Sequence, residues 1–373
     1  MASAVKKIIY VVSDIQKSLS FEWTARGLKD SCDLTFVIMN PKGSALENYI
    51  KAQKINFIYI SYRRKLDLPF AFIRLLWIFI TQKPDVVHTH LFDATIAGLA
   101  AAWISRVRKR IYTRHTSTYH HNYFPAGVKY DKLCNSLATK IISISQATDY
   151  ALVNLEQVDR NKIARIPHGF DFIEFLTTTD DRILKVRNRW GIPAEGYTIG
   201  IIARHIEWKG IQYTLAAFKE FITQNPLGFL VLANSTGPFR SEVLHLLKDI
   251  PKQNYVLIEF EEDIAALYSL LDILVHVPVD RYCEAFGQTY IESLAHGVPS
   301  IFTLSGIAAE FVVDREHALV VDFRNSWEIK KALIEISGNS GLRQAISKEG
   351  KRYVLANFGI GPMLDVLKKV YNE

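Results

Sequence analysis

Short apolar runs alternate with amphipathic stretches along the first 145 residues. Lys7 to Ser13 reads as a buried strand, Ser20 to Lys29 as a helix, Leu34 to Met39 as a strand and Ala45 to Ala52 as a helix. Further strands are predicted at Phe57 to Ile60, Val86 to His90, Arg110 to Thr113 and Ile141 to Ser145. Strand and helix taking turns in this way predicts a parallel, doubly wound sheet, whose ligands sit at the carboxyl ends of the strands. His90 and the run Thr113-Arg114-His115-Thr116 fall at such ends. His115 is the polar residue to single out here, although a histidine at a strand end is more often a structural hydrogen-bonding group.

The alternation stops near Ile166-Pro167-His168-Gly169-Phe170-Asp171, which reads as a hinge, and residues 172 to 195 show a polar, irregular pattern. It then resumes. Thr198 to Ala203 is a strand, Gly210 to Phe221 a helix, Gly228 to Ala233 a strand before the turn 234–238, and Val256 to Phe260 a strand. A helix over Ala265 to Leu271 and a strand over Ile273 to Val277 complete a second doubly wound unit. Arg204 and Lys209 flank a strand-to-helix connection, where two cations suit a diphosphate, although by themselves such cations are more often surface charges.

The stretch Leu66 to Thr81 is the most apolar of the chain, and Arg63-Arg64-Lys65 precedes it. It is too short to span a bilayer and is interrupted by Pro69 and Arg74. Two readings stay open: a core helix of the sheet, or an interfacial helix on an anionic membrane, with Arg106, Arg108, Lys109 and Arg110 sharing that face.

From Cys283 to Pro299 the pattern carries chemistry. Glu284 lies on a loop and Glu292 about one turn inside a short helix that begins after Phe286-Gly287 and ends at Gly297. The free N–H groups of that helix, near Gly287, Gln288 and Thr289, favour an anion, and the two carboxylates accept hydrogen bonds from hydroxyls. A phosphate flanked by hydroxyls describes a nucleotide sugar; an ordinary amphipathic helix after a solvated loop is the plain alternative.

Composition narrows the class. A chain of 373 residues, 49% hydrophobic and 22% charged, suits two globular domains. Its three cysteines are far apart and lack metal-ligand spacing, which favours a reducing compartment. Met1 to Tyr10 lacks the apolar region of a signal peptide, so a cytoplasmic protein is expected, one that can be peripheral on the inner face of the plasma membrane. Residues 1 to 170 hold 24 Lys and Arg against 12 Asp and Glu, net +12, and the remainder is net −5. A basic first half without patterned stacking aromatics does not point to nucleic acid.

Four blocks resemble, in order and spacing, the retaining glycosyltransferases of family 4. They are Ile-Ala-Arg-His-Ile-Glu-Trp-Lys-Gly (202–210), Phe-Glu-Glu-Asp-Ile-Ala-Ala-Leu-Tyr (260–268), the Glu-x7-Glu block (284–299) and Gly-Ile-Ala-Ala-Glu-Phe-Val (306–312). The resemblance implies the GT-B fold: two Rossmann-like doubly wound parallel-sheet domains facing a central cleft. An acceptor-binding domain is expected over 1–168, with the C-terminal helix in 356–373 packing back on it, and a nucleotide-sugar domain over 169–355. It further implies that Arg204 and Lys209 grip the donor diphosphate, that Glu292 holds the ribose and that Glu284 faces the donor sugar. The amides of Gly287, Gln288 and Thr289 would lie near the distal phosphate, Phe286 among the donor-binding residues, the backbone at Ile264 near the base, and His115 beside the reacting sugar.

The implied activity is a hexosyltransferase that retains anomeric configuration. Its donor would be UDP- or GDP-linked, with no cofactor and no metal, since no Asp-x-Asp occurs in the chain. The acceptor would be a lipid-linked or surface-polysaccharide precursor, and the basic first domain would meet an anionic membrane surface. An epimerase or hydrolase of the same fold, or a non-catalytic nucleotide-sugar-binding subunit, are the alternatives. The chain departs from the family pattern twice: the loop Ser13-Asp14-Ile15-Gln16-Lys17-Ser18 lacks a glycine pair, and the turn 233–238 lacks a Gly-Asp-Gly core.

Overall fold

The computed structural model describes residues 5–373; the expectation for the chain's start extends to residues 1–4, which lie outside the described residues. Two compact units form, Met1–Phe170 with Ile360–Glu373, and Asp171–Gly359.

The first unit holds β1 (Lys7–Ser13), β2 (Asp33–Asn40), β3 (Asn56–Ser61), β4 (Val86–His90), β5 (Lys109–Arg114), β6 (Lys140–Ser143) and β7 (Ile163–Arg165). They pair in parallel in the order β3-β2-β1-β4-β5-β6-β7, so the order reverses between β1 and β4. Successive side chains alternate between two buried faces, which is why β1 reads as an unbroken apolar run. Ile8, Tyr10 and Val12 meet Phe21, Ala25 and Leu28 of the helix Leu19–Leu28 and Leu364, Leu367 and Tyr371 of the helix Ile360–Asn372. Gly27 leaves the space that Leu364 fills; a Cβ there would stand 2.2 Å from Leu364 Cδ1. On the other face, Ile9 and Val11 pack with Ala71, Leu75, Ile78 and Phe79 of the helix Leu68–Gln82 and with Ala94, Ala97 and Ala101 of the helix Phe92–Ile104.

The second unit holds β8 (Thr198–Ile202), β9 (Phe229–Ala233), β10 (Tyr255–Ile258), β11 (Ile273–His276), β12 (Ser300–Phe302) and β13 (Leu319–Val320). Their order is β10-β9-β8-β11-β12-β13, again parallel, with the reversal between β8 and β11. Leu215, Phe218 and Phe221 of the helix Ile211–Gln224 share one core with Ile329, Leu333 and Ile336 of the helix Ser326–Gly338.

Several elements differ from the sequence expectation. Residues 172 to 195 contain a regular helix, Asp180–Trp190. It buries only Val186, so no apolar stripe announces it; Thr179 caps it, Asp180 and Asp181 start it, and Gly191 ends it in the left-handed conformation. The expected helix over Ala265 to Leu271 is one turn, Ile264–Tyr268. Strands β7, β12 and β13 have two to three residues each and were below the length at which alternation is visible. Among the described residues no helix is long and apolar enough to cross a membrane.

Candidate active site

In the second unit the site grows from the loops that leave β8 and β11, the two strands at which the order reverses and where doubly wound sheets hold ligands. The loop after β8 runs from Ala203 to Gly210. Val279 donates its amide to Trp208 O at 3.0 Å, which stitches this loop to the one after β11. Lys209 is thereby aimed at the second loop, with its Nζ 2.5 Å from Glu284 Oε2 and 4.6 Å above the Trp208 ring. Arg204 is exposed, and among the described residues it has no ion-pair partner.

Glu284 is held from four sides. His276, the last residue of β11, places Nε2 3.3 Å from the same Oε2, and Ser305 Oγ accepts from the Glu284 amide at 3.3 Å. Gly287 and Gly306 close in on its stem. Both have left-handed backbones, with φ of 81° and 55°, and a Cβ on either would stand 3.0 Å from Glu284 Cγ. Burial pushes this carboxyl up, yet the Lys209 charge and the His276 hydrogen bond more than reverse it, to about 2. Glu284 is therefore an ionised hydrogen-bond acceptor at any working pH and not a proton donor.

An alanine at Gly306 would also bring its Cβ within 2.7 Å of Phe286 O. We expect Gly306→Ala to cost about 2 kcal/mol of stability and to depress turnover by displacing Glu284. A melting curve and initial rates check it, and an unchanged melting temperature would remove the clamp.

Gly287 is also the N-cap of the helix Gln288–Ala295. Tyr290 spends its amide on Gly287 O at 3.1 Å, so the forward-facing donors are those of Gln288 and Thr289, and Thr289 Oγ1 donates to Ile202 O at 3.2 Å at the end of β8. Phe286 is buried at 3% exposure and packs edge-on with Phe358, so it shapes the loop from below. Glu292, one turn further, is partly buried and accepts from the Tyr268 hydroxyl at 2.8 Å. With no cation beside it, burial pushes its carboxyl up to about 7, against the pull of the Tyr268 hydrogen bond. Ile264 opens the one-turn helix that carries Tyr268, and Asp263 caps that helix.

His115 belongs to the first unit. Its Nε2 lies 3.0 Å from His90 Nδ1, its ring stacks on His168, and burial lowers it to about 3, so it is neutral at pH 7. The adjacent Arg114 fixes the loop: buried at the end of β5, it pairs with Asp131 at 2.8 Å and Glu156 at 2.7 Å and donates to Thr116 O. After β1, where the family resemblance implies a glycine pair, Asp14 itself takes the left-handed conformation at φ 53°, one that Asp tolerates better than most residues. Asn40 then pins the loop by accepting from the Ile15 amide at 3.0 Å.

The structure thus brings Lys209, Glu284, Gly287 and Glu292 together with Arg204's loop, and shows His115 in a histidine cluster of its own. His276, Ser305 and Tyr268, which hold the two carboxylates, escaped the sequence reading. Tyr268 stands in one of the quoted blocks, whereas His276 and Ser305 carried no local signal.

Two family models match the chain: Glycosyltransferase Family 4 over residues 22–172, and Glycosyl transferases group 1 over residues 183–353. Between them they cover most of it. The chain belongs to the family 4 glycosyltransferases. This glycosyltransferase is 25% identical over 319 residues to the capsular polysaccharide biosynthesis glycosyltransferase CapM of Staphylococcus aureus, covering 81% of this chain and 80% of CapM. It is 24% identical over 290 residues to the alpha-monoglucosyldiacylglycerol synthase of Acholeplasma laidlawii, covering 72% of this chain and 70% of the synthase. Its fold is that of Anabaena Alr3699/HepE, solved in complex with UDP and glucose, at a TM-score of 0.85 and 17% identity over 99% of this chain and 100% of that one. Family and fold agree on the GT-B class, two Rossmann-like units in one chain.

Proposed function

We propose that this glycosyltransferase moves a hexose from a nucleotide sugar, UDP- or GDP-linked, onto a lipid-linked or surface-polysaccharide precursor, with retention at the anomeric carbon and without a metal. The observation that carries this reading is the Lys209–Glu284 pair set beside the amide-lined start of the helix Gln288–Ala295. Lys209 and the exposed Arg204 would neutralise the diphosphate, and the Gln288 and Thr289 amides would take its distal oxygens. Glu284 would accept from a sugar hydroxyl, Glu292 from the ribose, and the backbone at Ile264 would meet the base. These fixed charges stabilise the leaving diphosphate, which is the role a metal clamp plays elsewhere.

The first unit would bind the acceptor. His115, with one nitrogen committed to His90, would offer the other to the reacting sugar as a neutral hydrogen-bonding group. The names of CapM and of the diacylglycerol synthase favour acceptors of the glycan and lipid kind. The complex of HepE with UDP and glucose favours a UDP-linked donor.

Melting the protein against UDP, GDP, ADP and CMP sugars with EDTA present tests this, because a ligand of the native state raises its melting temperature. One responding nucleotide is expected, at unchanged strength with chelator. No response to any, or a response that EDTA abolishes, overturns the donor or the metal-independent reading respectively.

A further inference from the structure

The helix Leu68–Gln82 buries Ala71, Leu75, Ile78 and Phe79 against the first sheet, yet its outward face is apolar too. Phe70, Ile73, Trp77 and Ile80 are 60, 63, 55 and 54% exposed at the three- and four-residue spacing of one helix stripe, and Leu66, 77% exposed in the short turn Lys65–Asp67 that precedes the helix, extends the row. The helix Phe92–Ile104 packs alongside and adds Trp103 and Ile104, 57 and 49% exposed, at its end. Scattered exposed apolar residues need no explanation, but a contiguous row of seven large ones does.

Cations cap both ends of this row. Arg63, Arg64 and Lys65 stand before it, all exposed. Lys83, Arg106 and Arg108 stand after it, and Lys83 and Arg106 take left-handed backbones, with φ of 49° and 59°, where the two helices end. Within the row, the Arg74 guanidinium lies 4.8 Å over the Trp77 ring. Lys65 reaches 5.5 Å over the Phe124 ring, joining the row to the half-exposed Tyr119 and Tyr123. Of the two acids along the segment, Asp67 is spent on the Arg63 and Arg64 amides and Asp85 on the Lys7 amide.

We infer that this face lies on an anionic membrane, with Phe70, Ile73, Trp77 and Ile80 in the headgroup and acyl boundary and the two basic clusters on acidic headgroups. Charge decides between occupants. A second copy docked face to face would set basic clusters against each other or against bare apolar surface, whereas an acidic bilayer answers both the apolar row and its cationic ends. Aromatic rings with polar edges, Trp77, Trp103, Tyr119 and Tyr123, are of the kind that settles at a membrane interface. The inference stands apart from the donor chemistry, since docking is read with no nucleotide sugar present.

Flotation of the full-length protein with phosphatidylcholine vesicles, with and without phosphatidylglycerol, tests it. We expect binding only to the anionic vesicles, weakened by salt. Ile73→Ser with Trp77→Ser, and separately Arg63→Ser with Arg64→Ser and Lys65→Ser, should each lower partitioning roughly tenfold or more at unchanged melting temperature. Equal binding to neutral vesicles, or no binding to either, overturns the inference. So does a concentration-dependent dimer in sedimentation that Ile73→Ser with Trp77→Ser abolishes, because the row would then be covered by a second copy.

Discussion

Replacing Lys209 by alanine lowers kcat/KM by about a hundred- to a thousandfold, the scale on which removing one preorganised charge at a reacting centre acts. The reason lies in two losses at once. The diphosphate loses the cation proposed to balance it, and Glu284 loses the partner 2.5 Å away that keeps a buried carboxyl near 2. Burial then dominates, and the carboxyl rises toward protonation. Removing one member of a buried pair costs about 3 kcal/mol or more of stability, so the melting temperature should fall as well. Glu284 sits below its ordinary value in the native state, so the stability it contributes is present above the unfolded carboxylate range and is lost as pH falls through about 2. The deficit of Lys209→Ala should accordingly be full at neutral pH and shrink in strong acid. Lys209→Met combined with Glu284→Gln separates the two losses: it should regain melting temperature and stay inactive. Near-normal kcat/KM in Lys209→Ala would remove the diphosphate assignment.

Glu292 behaves in the opposite sense. Its carboxyl is raised to about 7, so its ionisation destabilises the native state as pH climbs from the ordinary carboxylate range through about 7, and the protein without ligand is more stable on the acid side of that window. A ribose whose hydroxyls donate to the carboxylate reverses this, because it favours the ionised form. Nucleoside diphosphate should therefore bind about tenfold tighter at pH 8 than at pH 6 and release protons as it binds, a tenfold change being 1.4 kcal/mol. In Glu292→Gln the pH dependence and the proton release vanish, affinity drops, and the ligand-free protein gains stability at pH 8. Calorimetry in two buffers of different ionisation heat reads all of this, and a pH dependence that persists in the variant would deny Glu292 the role.

The two doubly wound units were legible because their strands are buried on both faces. Ile8 to Val12 and Phe229 to Ala233 then appear as unbroken apolar runs that need no context. The candidate loop was legible for another reason: Glu284, Gly287 and Glu292 sit within nine residues of one another, and their spacing is itself the message. What holds them is not local. His276, at the end of the strand that leads into the loop, and Ser305, beyond β12, reach Glu284 from outside that stretch, and Asp131 and Glu156 reach Arg114 from 17 and 42 residues away. The helix Asp180–Trp190 escaped because caps and charges build it where burial does not. The helix Leu68–Gln82 packs its inner face in the core, as one reading of its all-round apolarity expected, and leaves its outer face exposed.

The last helix, Ile360–Asn372, completes the core of the first unit, where Tyr371 bonds His88 at 2.6 Å and Lys6 and Lys109 donate to its final carbonyls. A ribosome delivers residues 1–170 long before that helix exists, whereas the second unit is continuous in sequence and can close as soon as it emerges. The half of the enzyme made first is thus the half finished last. Until residues 360–372 are made, Tyr10, Phe21 and Leu28 lack the cover that Leu364, Leu367 and Tyr371 give them, so a chain cut before Ile360 would keep the second unit continuous and leave the first without part of its core.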